Sequence, residues 1–435
     1  MTRMAMKTIP ALLLAAFSSA SFAAGFAIQA QNGSGNGNAF AGASAVAEDA
    51  GTIFFNPAGM TYLPQGHNIS VAATYLKRSI EFTDKGTSGL LGSTGTNGGD
   101  AGGSSVIPAL YWSMALSPVV RIGLGVSPTF GNVTEYDETF YGRYSGYYAD
   151  LKQININPSI AFKASDEVSV GFGWNFAKNE TEFRQKVRAG AADSDVRLKG
   201  DDRAQGYNFG ILWQVSKATR VGFHYRESME FKLKGTQTAS IPVSLPHPVL
   251  PVTVPVLPAS IGVSARLVTP DSVSLALSQK IGERIEVLAD VTRTGWSDIN
   301  AITVTRADGI AHPGLTYNFK DSNRVGLGVN YQMNDQWKLR AGVALDKTPV
   351  RSAADTTMTL PDSDRTWLAF GAKFALSKAN SIDVGYAHIF FKEARTERAV
   401  FVVNPATLGS VQGQTIRGTF DTSADYLSVQ YNHNF

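Results

Sequence analysis

The sequence predicts an all-β fold: a fourteen-stranded antiparallel transmembrane β-barrel preceded by an N-terminal segment of different character. Three observations support this fold class. They are a secretion signal at the start, period-two hydrophobic alternation along most of the chain, and an alternating aromatic strand at the end. The composition agrees, because only 17% of the 435 residues are charged, which is few for the surface of a soluble protein.

Residues 1–23 have the form of a cleaved signal peptide. Arg3 and Lys7 give a basic start, an apolar run covers 11–17, and a small-x-small end precedes Ala24, the expected new N-terminus. Cleavage removes two of the 39 basic residues and none of the 36 acidic ones, which leaves a net charge of +1. That balance gives no reason to expect nucleic acid as a partner.

Residue types exclude several classes of function. The chain has no cysteine, which excludes disulfides, thiolate metal sites and cysteine nucleophiles. The nearest candidate for a spanning helix, 241–263, contains six prolines that forbid a continuous helix. The six histidines are scattered, and Ser244 and His247 lie together only in this proline-rich stretch, without an acidic residue to orient the imidazole. We therefore predict no enzyme, no cofactor and no metal site.

Alternation of large apolar residues with small or polar ones carries the strand prediction. In 168–176 every second residue is Val, Phe or Trp, opposite Ser, Gly and Asn, as expected for a wall with lipid outside and a packed lumen inside. Short links on one side and long links on the other match the periplasmic turns and outer loops of such barrels. Several segments exceed the 9–11 residues that cross a bilayer, so the wall is expected to project beyond the membrane. The predicted strands are 68–82, 104–117, 119–136, 151–164, 167–187, 203–215, 219–234, 263–281, 284–305, 315–332, 336–347, 365–376, 380–395 and 423–435.

The C-terminus predicts the destination of the chain. Large residues alternate from Leu427 to a terminal Phe435, which is similar to the assembly signal of outer-membrane barrels; the alternative is an ordinary last strand. We expect the barrel-assembly machinery as a partner through Phe435 and localisation in the outer membrane of a Gram-negative bacterium. A monomer in contact with membrane lipid and lipopolysaccharide is expected there. The aromatic residues from Tyr136 to Tyr148 predict either a membrane-interface girdle or loop packing.

Residues 24–64 lack sustained alternation, so the barrel is assigned to 65–435. Glycine and small residues in this first segment permit close packing or flexibility, and they do not fit a dinucleotide-binding fingerprint. Asn56 is a good helix N-cap and Pro57 suits the first helical position, which predicts a short helix from Pro57. Aquaporins carry two Asn-Pro-Ala tripeptides within six spanning helices, so the architecture excludes a water channel.

Several motifs together resemble those of one family. In chain order they are "AGFAIQ", "SGNGNAFAG", "AEDAGTIFFNPAGM", "TGWSDI", "FKDSNRVGLG", "RAGVALDKTPV" and "LPDSDRTWLAFGAKFAL", and they extend over nearly the whole mature chain. The sequence is similar to the FadL/TodX family of outer-membrane transporters for long-chain fatty acids and other hydrophobic compounds. The resemblance implies a fourteen-stranded barrel whose lumen is closed by an N-terminal hatch, here residues 24–64.

The resemblance also implies a transport route. Substrate is captured by extracellular loops, enters a pocket in the lumen, and leaves sideways through a kink in the third strand after the hatch rearranges. The expected hatch gate is Asn56, Pro57 and Ala58. Pro128, which lacks a backbone donor, and Gly131, which lacks a side chain, are expected at the lateral opening. The alternative there is a bulge without a role in transport.

Ligand contacts are expected in two places. The proline-rich loop at 241–263 offers an apolar capture surface, although its side chains could instead pack on their neighbours. For a carboxylate-bearing ligand the resemblance points to Arg184 and Lys320, but alternation from Asn175 turns Arg184 outward unless a bulge intervenes. The family's second basic partner has no direct counterpart. The expected capture residues are Leu245, Val249, Leu250, Val254 and Leu257.

The sequence therefore predicts passive, diffusion-type uptake of hydrophobic small molecules, with long-chain fatty acids first among them. The missing second basic residue supports an alternative, uptake of monoaromatic hydrocarbons such as toluene. A third hypothesis is an adhesin or phage receptor that acts through its loops. A general hydrophilic porin is disfavoured by the hatch.

Overall fold

A computed structural model gives the fold of the chain. The predicted signal peptide lies outside the residues that it describes. No helix in the described part is long and apolar enough to span a membrane. The described residues are 25–92, 94–246, 253–309, 311–403 and 410–435.

The fold is a closed antiparallel β-barrel of fourteen wall strands, so the predicted fold class is confirmed. The strands are β1 (His67–Asp84), β2 (Gly103–Ala115), β3 (Val120–Glu135), β4 (Tyr148–Lys163), β5 (Val168–Ala189), β6 (Ala192–Gln214), β7 (Thr219–Arg226), β8 (Met229–Ala239), β9 (Val243–Pro246), β10 (Thr253–Leu257), β11 (Ser260–Thr269), β12 (Ser272–Ile281), β13 (Ile285–Thr294), β14 (Ala301–Arg306), β15 (Ala311–Thr316), β16 (Ser322–Gln332), β17 (Trp337–Asp346), β18 (Arg365–Ala375), β19 (Asn380–Phe391), β20 (Ala394–Val403) and β21 (Ser410–Asn434).

Nine wall strands are continuous: β1–β6, β17, β18 and β21. Each of the other five consists of two consecutive segments separated by a short break: β7 with β8, β11 with β12, β13 with β14, β15 with β16, and β19 with β20. Segments β9 and β10 form a separate hairpin.

The barrel closes between its first and last strands. β21 pairs with β1 from Asn434 opposite Asn68 to Gly418 opposite Asp84. The terminal Phe435 stacks on His67 with ring centroids 5.0 Å apart. Closure pairs the first strand with the last, so neither of them is a free sheet edge in lipid.

The two ends of the barrel differ, as predicted. At one end the connections are short turns, such as 116–119, 164–167 and 215–218. At the other end they are long, such as 85–102 and 240–259, and by the usual asymmetry this end faces the outside of the cell. The aromatic residues near Tyr136 belong to a buried cluster in which the long connections pack against β1, β20 and β21, so they are loop packing and not an interface girdle.

The period-two pattern separates an apolar outer face from a largely polar interior. On β5, Trp174 and Phe176 are 44% and 45% exposed, whereas Asn175 between them is 1% exposed. Inside the barrel, Asn175 bonds to Asn155 and Asn208. An exposed apolar face over a polar interior is the arrangement of a barrel that sits in lipid.

Short helices occur in the segment before β1 and at one strand break. Each spans a single turn or two, because the small residues around them supply no amphipathic stripe long enough for a stable helix. They are α1 (Gly33–Asn36), α2 (Ala43–Val46), α3 (Thr52–Phe55), and 3₁₀ helices at Pro57–Tyr62 and Trp296–Asp298.

Candidate functional site

Residues 25–64, here called the N-terminal segment, lie inside the barrel. Glycines at inward positions of the wall let its backbone approach closely. A Cβ atom at Gly222 would lie 2.0 Å from the carbonyl oxygen of Ser44, and one at Gly342 would lie 2.0 Å from that of Asn38. The glycines that alternate with large residues in the strand sequences are therefore a docking surface for this segment.

Asn56 fixes the segment to the wall. Its Nδ2 donates to the carbonyl oxygens of Ser44 at 2.8 Å, Ile211 at 3.0 Å and Phe223 at 3.2 Å. Its Oδ1 accepts from the backbone N–H of Ala58 at 3.1 Å, which confirms the predicted cap, although the helix that follows is 3₁₀. Asn56 and Ala58 are fully buried, so the tripeptide is a tightly held contact between segment and wall.

A buried ion network forms a second attachment, here called the Glu48 network. The Glu48 carboxylate receives Arg340 Nη1 at 2.9 Å, Lys338 Nζ at 2.9 Å and Lys373 Nζ at 3.2 Å. Arg340 also pairs with Asp383 at 2.6 Å. Burial raises the pKa of Glu48, but the three surrounding cations outweigh it and hold that pKa well below its usual range.

The N-terminal segment also completes the third strand. The ladder between β2 and β3 ends at Leu110 opposite Val126. The β3–β4 ladder shifts register between Pro128 and Phe130, which leaves Thr129 as a bulge residue. The predicted irregularity at Pro128 is therefore present in the strand.

Backbone groups of the N-terminal segment occupy the place that β2 leaves empty. Ile28 N donates to Thr129 O at 2.9 Å, and Gly131 N donates to Phe26 O at 2.8 Å. Gln31 Nε2 adds a bond to Pro128 O at 2.8 Å. The start of the segment thus acts as a short extra strand beside a gap in the barrel wall.

An apolar cluster lies next to this gap. Phe26 packs against Trp296 and Phe130 with ring centroids 5.1 and 5.7 Å away, and Trp296 contacts Phe319 at 6.1 Å. Trp296 belongs to the 3₁₀ helix in the break between β13 and β14, and this break places the indole inside the barrel. The buried cluster also includes Leu151, Ala177, Met229, Phe231, Leu233, Leu267, Ile299, Tyr317, Val350 and Leu360.

The indole N–H of Trp296 has no hydrogen-bond partner within the described ranges, although the side chain is fully buried. A buried donor without a partner costs free energy, and such a group therefore calls for a functional explanation. Phe26 packs on the Trp296 ring at 5.1 Å, and a Cβ atom at Gly25 would lie 2.5 Å from Cη2 of that ring, so the start of the N-terminal segment covers the indole.

The two residues predicted to bind a carboxylate lie elsewhere. The ladders of β5 with β4 and β6 contain no bulge, so Arg184 follows the alternation and faces outward, where it pairs with Glu182 at 2.7 Å. Lys320 lies in the break between β15 and β16 and is exposed. Both predictions are wrong, because the bulge that Arg184 needed is absent and the break turns Lys320 to solvent.

The predicted capture loop is only partly described. Leu245 is half-buried and Leu257 is 6% exposed, so the prediction that Leu257 contributes to an exposed apolar surface is wrong. The backbone of β10 pairs with β9 through Val254 and Leu245, which turns part of the loop onto itself. Val249 and Leu250 lie outside the described residues.

A separate cavity of about 220 Å³ lies at the short-turn end of the lumen. Most of its lining residues are polar or charged, including Glu48, Tyr62, Arg220, Glu286 and Lys338, beside Val46, Ala47 and Ala218. Such a surface does not suit an apolar solute. Among the described residues no three His, Asp or Glu side chains come together as a metal site requires.

The sequence reasoning missed Glu48, Phe26 and Trp296. Glu48 carried a signal, because it and Asp49 are the only two charged residues in the N-terminal segment. Phe26 lies in the motif "AGFAIQ" and Trp296 in "TGWSDI". Their contact joins residues 270 positions apart in the sequence. Only closure of the barrel brings them together.

Comparisons with known proteins agree with this geometry. The model of the outer membrane protein transport protein family (OMPP1/FadL/TodX) matches residues 14–435. The long-chain fatty acid transport protein of Salmonella typhi is 27% identical over 403 residues, which cover 88% of this chain and 91% of that protein.

Solved structures share the fold. A Pseudomonas aeruginosa FadL homologue has a TM-score of 0.84 at 23% identity, covering 95% of this chain and all of that one. The toluene transporter TbuX of Ralstonia pickettii has a TM-score of 0.68 at 17% identity, covering 93% and 98%. The chain therefore belongs to the OMPP1/FadL/TodX family of outer-membrane transport proteins.

Proposed function

We propose that this protein takes up hydrophobic compounds passively across the outer membrane, and that long-chain fatty acids are its main substrates. The observation that carries the proposal is the contact of Phe26 with both the apolar cluster and the wall gap. The short stretch around Phe26 covers both the apolar cluster inside the barrel and the gap in the wall beside it. Its displacement would uncover both together.

The physical need for such a device follows from the solubility of the substrate. Apolar surface exposed to water costs about 25 cal/mol per Å², so a long alkyl chain gains little from an open aqueous pore. An apolar site with a direct exit into the membrane lets the substrate avoid most of that cost. The gap between β2 and β3 provides the exit.

The proposed route has three steps. Substrate reaches the lumen from the long-loop end, replaces Phe26 on Trp296, and leaves sideways where residues 26–28 had paired with Thr129 and Gly131. The N-terminal segment is the proposed hatch in this route. Asn56, with Pro57 and Ala58, holds its far end against the wall.

Trp296 is the proposed recognition group for a fatty-acid carboxylate. Its unpartnered indole N–H can donate to a carboxylate oxygen when Phe26 has moved away. An aromatic hydrocarbon would use the ring surface of the same cluster and leave the N–H unpaired. Uptake of monoaromatic hydrocarbons is the second candidate, favoured by the outward placement of Arg184 and Lys320.

A deletion strain complemented with the wild-type gene or with Trp296→Phe tests this proposal. We expect deletion to lower the initial rate of oleate uptake at least about tenfold. Trp296→Phe, which keeps a ring but removes the donor, should lower it about threefold to tenfold, since a lost hydrogen bond costs about 0.5–1.5 kcal/mol.

Toluene uptake in the same cells separates the candidates. If deletion lowers toluene uptake but leaves oleate uptake intact, the fatty-acid proposal is wrong and the aromatic one holds. If deletion changes neither rate, transport of these compounds is not the function.

A further inference from the structure

The outer surface of the barrel carries a row of cations just above its apolar band. Lys178 on β5 lies directly opposite Arg203 on β6, and Lys232 on β8 lies directly opposite Arg266 on β11. The β6–β8 ladder ends with Asp201 opposite Lys234, so Arg203 and Lys232 are the next residues on the same face. With neighbouring strands about 4.8 Å apart, these four residues form a row roughly 15 Å long; they are called the basic row.

The position of the basic row matches the depth of lipid headgroups. Lys178 follows Trp174 and Phe176 on the same outward face, and Tyr207 stands opposite Trp174 on β6. These aromatic side chains mark the upper part of the lipid-facing band. β5 runs from a short turn towards the long-connection end, so the basic row lies on the outer-leaflet side of that band.

The arrangement of charges in the basic row is unfavourable without a counterion. Like charges directly opposite on neighbouring strands repel each other. Lys178 contacts Glu180 at 2.5 Å and Arg266 contacts Glu230 at 2.9 Å. In the part of the chain that the structure describes, no carboxylate lies within 4 Å of the side-chain nitrogens of Arg203 or Lys232.

A neighbouring pair of cations on the same two strands gives an internal comparison. Arg184 lies opposite Arg197 higher on the wall. Both guanidinium groups bond to Glu182, at 2.7 and 2.6 Å. That pair carries its own counterion within the protein, whereas the centre of the basic row does not.

We propose that the basic row binds the phosphate groups of lipopolysaccharide, the phosphorylated glycolipid of the outer leaflet. Arg203 and Arg266 can bind a phosphate through two parallel N–H groups, and the lysines supply further charge. On β5 the exposed Phe176 and Trp174, directly below Lys178, would contact the acyl chains of the same molecule. Contact through acyl chains distinguishes a lipid from free phosphate, which has no apolar part to pack against these side chains. This site is separate from the transport route.

The test uses the full-length protein extracted from outer membranes with a mild detergent. The double variant Arg203→Gln/Lys232→Gln removes the two cations without a carboxylate. The matched control, Lys217→Gln/Lys378→Gln, removes two exposed lysines from short turns at the opposite end. Native mass spectrometry measures lipopolysaccharide bound per protein. We expect at least a fivefold loss in the double variant and the wild-type amount in the control.

A second measurement needs no variant. Detergent-exchanged wild-type protein is heated with lipid A carrying two phosphates, with enzymatically dephosphorylated lipid A, or with inorganic phosphate. We expect only the phosphorylated lipid to raise the unfolding temperature. Wild-type retention of lipopolysaccharide by the double variant would overturn the proposal, and so would an equal temperature shift with inorganic phosphate or with the dephosphorylated lipid.

Discussion

Replacing Glu48 by glutamine is expected to release the N-terminal segment from the barrel wall and to raise the ion conductance of the protein several-fold. The change removes the charge that Arg340, Lys338 and Lys373 share in the lumen. Removing one partner of a buried ion pair costs about 3–5 kcal/mol, because it leaves an uncompensated buried charge. Arg340 keeps Asp383 as a partner, so the lower end of that range applies.

Planar-bilayer recordings check this expectation. The wild type should show small, brief openings, and Glu48→Gln should show longer and larger ones. Glu180→Gln is the matched control, since Glu180 is an exposed carboxylate on the outer face, paired with Lys178. Wild-type conductance from a folded Glu48→Gln barrel would contradict the role given to the Glu48 network.

The same network predicts a pH dependence. A carboxylate whose pKa is lowered in the folded state contributes stability that is complete above its unfolded pKa and is lost as the pH falls through the lowered value. The pKa of Glu48 lies well below its usual range. The closed state should therefore persist at pH values where an ordinary glutamate is already half protonated.

Deleting Thr129 is expected to have the largest effect on transport, a loss of oleate uptake of at least about tenfold. Thr129 is the bulge residue of β3. Its removal would bring Phe130 into the register of Pro128 and extend regular pairing along the strand, because a bulge is one extra residue on one side of a ladder. We expect β2 and β3 to pair further along the strand and close the gap beside the apolar cluster.

Thr129→Ser is the control for the deletion. It keeps the extra residue and the hydroxyl that accepts a hydrogen bond from Gln153 at 2.9 Å. We expect uptake within twofold of the wild type for this substitution. The heat-modified mobility of both proteins on gels verifies that the barrels are folded. Undiminished uptake by the folded deletion variant would rule out exit at this gap.

The barrel could be predicted from the sequence because its two faces have different surroundings, which makes large apolar residues alternate with small or polar ones. Lipid demands apolar residues outside, and the docked segment demands glycine at positions such as Gly222 and Gly342 inside. The predicted strand bounds are wrong where the wall projects from the lipid into water. β6 begins at Ala192 and not near 203, because above the membrane both faces carry polar residues and the alternation disappears.

The candidate site was harder to predict from the sequence. Alternation alone correctly turned Arg184 outward, and the resemblance to a family wrongly suggested a bulge that would bring it in. The partner of Glu48 could not be found, because Lys338 and Arg340 are about 290 residues away and the barrel has many inward cations. Which cation meets Glu48 is decided by the path of the N-terminal segment through the lumen.

We propose that the start of the N-terminal segment must leave the third strand for substrate to pass. Ala27 and Phe130 form an antiparallel bridge between the two, flanked by the bonds of Ile28 and Gly131. Such a non-hydrogen-bonded pair has Cα atoms roughly 4.5 Å apart, within the range of a disulfide. The chain has no other cysteine, so Ala27→Cys/Phe130→Cys can form a single defined crosslink.

Oleate uptake by cells that carry this double variant tests the claim most directly, because the same protein is measured oxidised and reduced. We predict that oxidation lowers the rate at least about tenfold and that dithiothreitol restores it. Each single-cysteine variant should be insensitive to both reagents. Equal uptake by the fully crosslinked and the reduced protein would contradict the account.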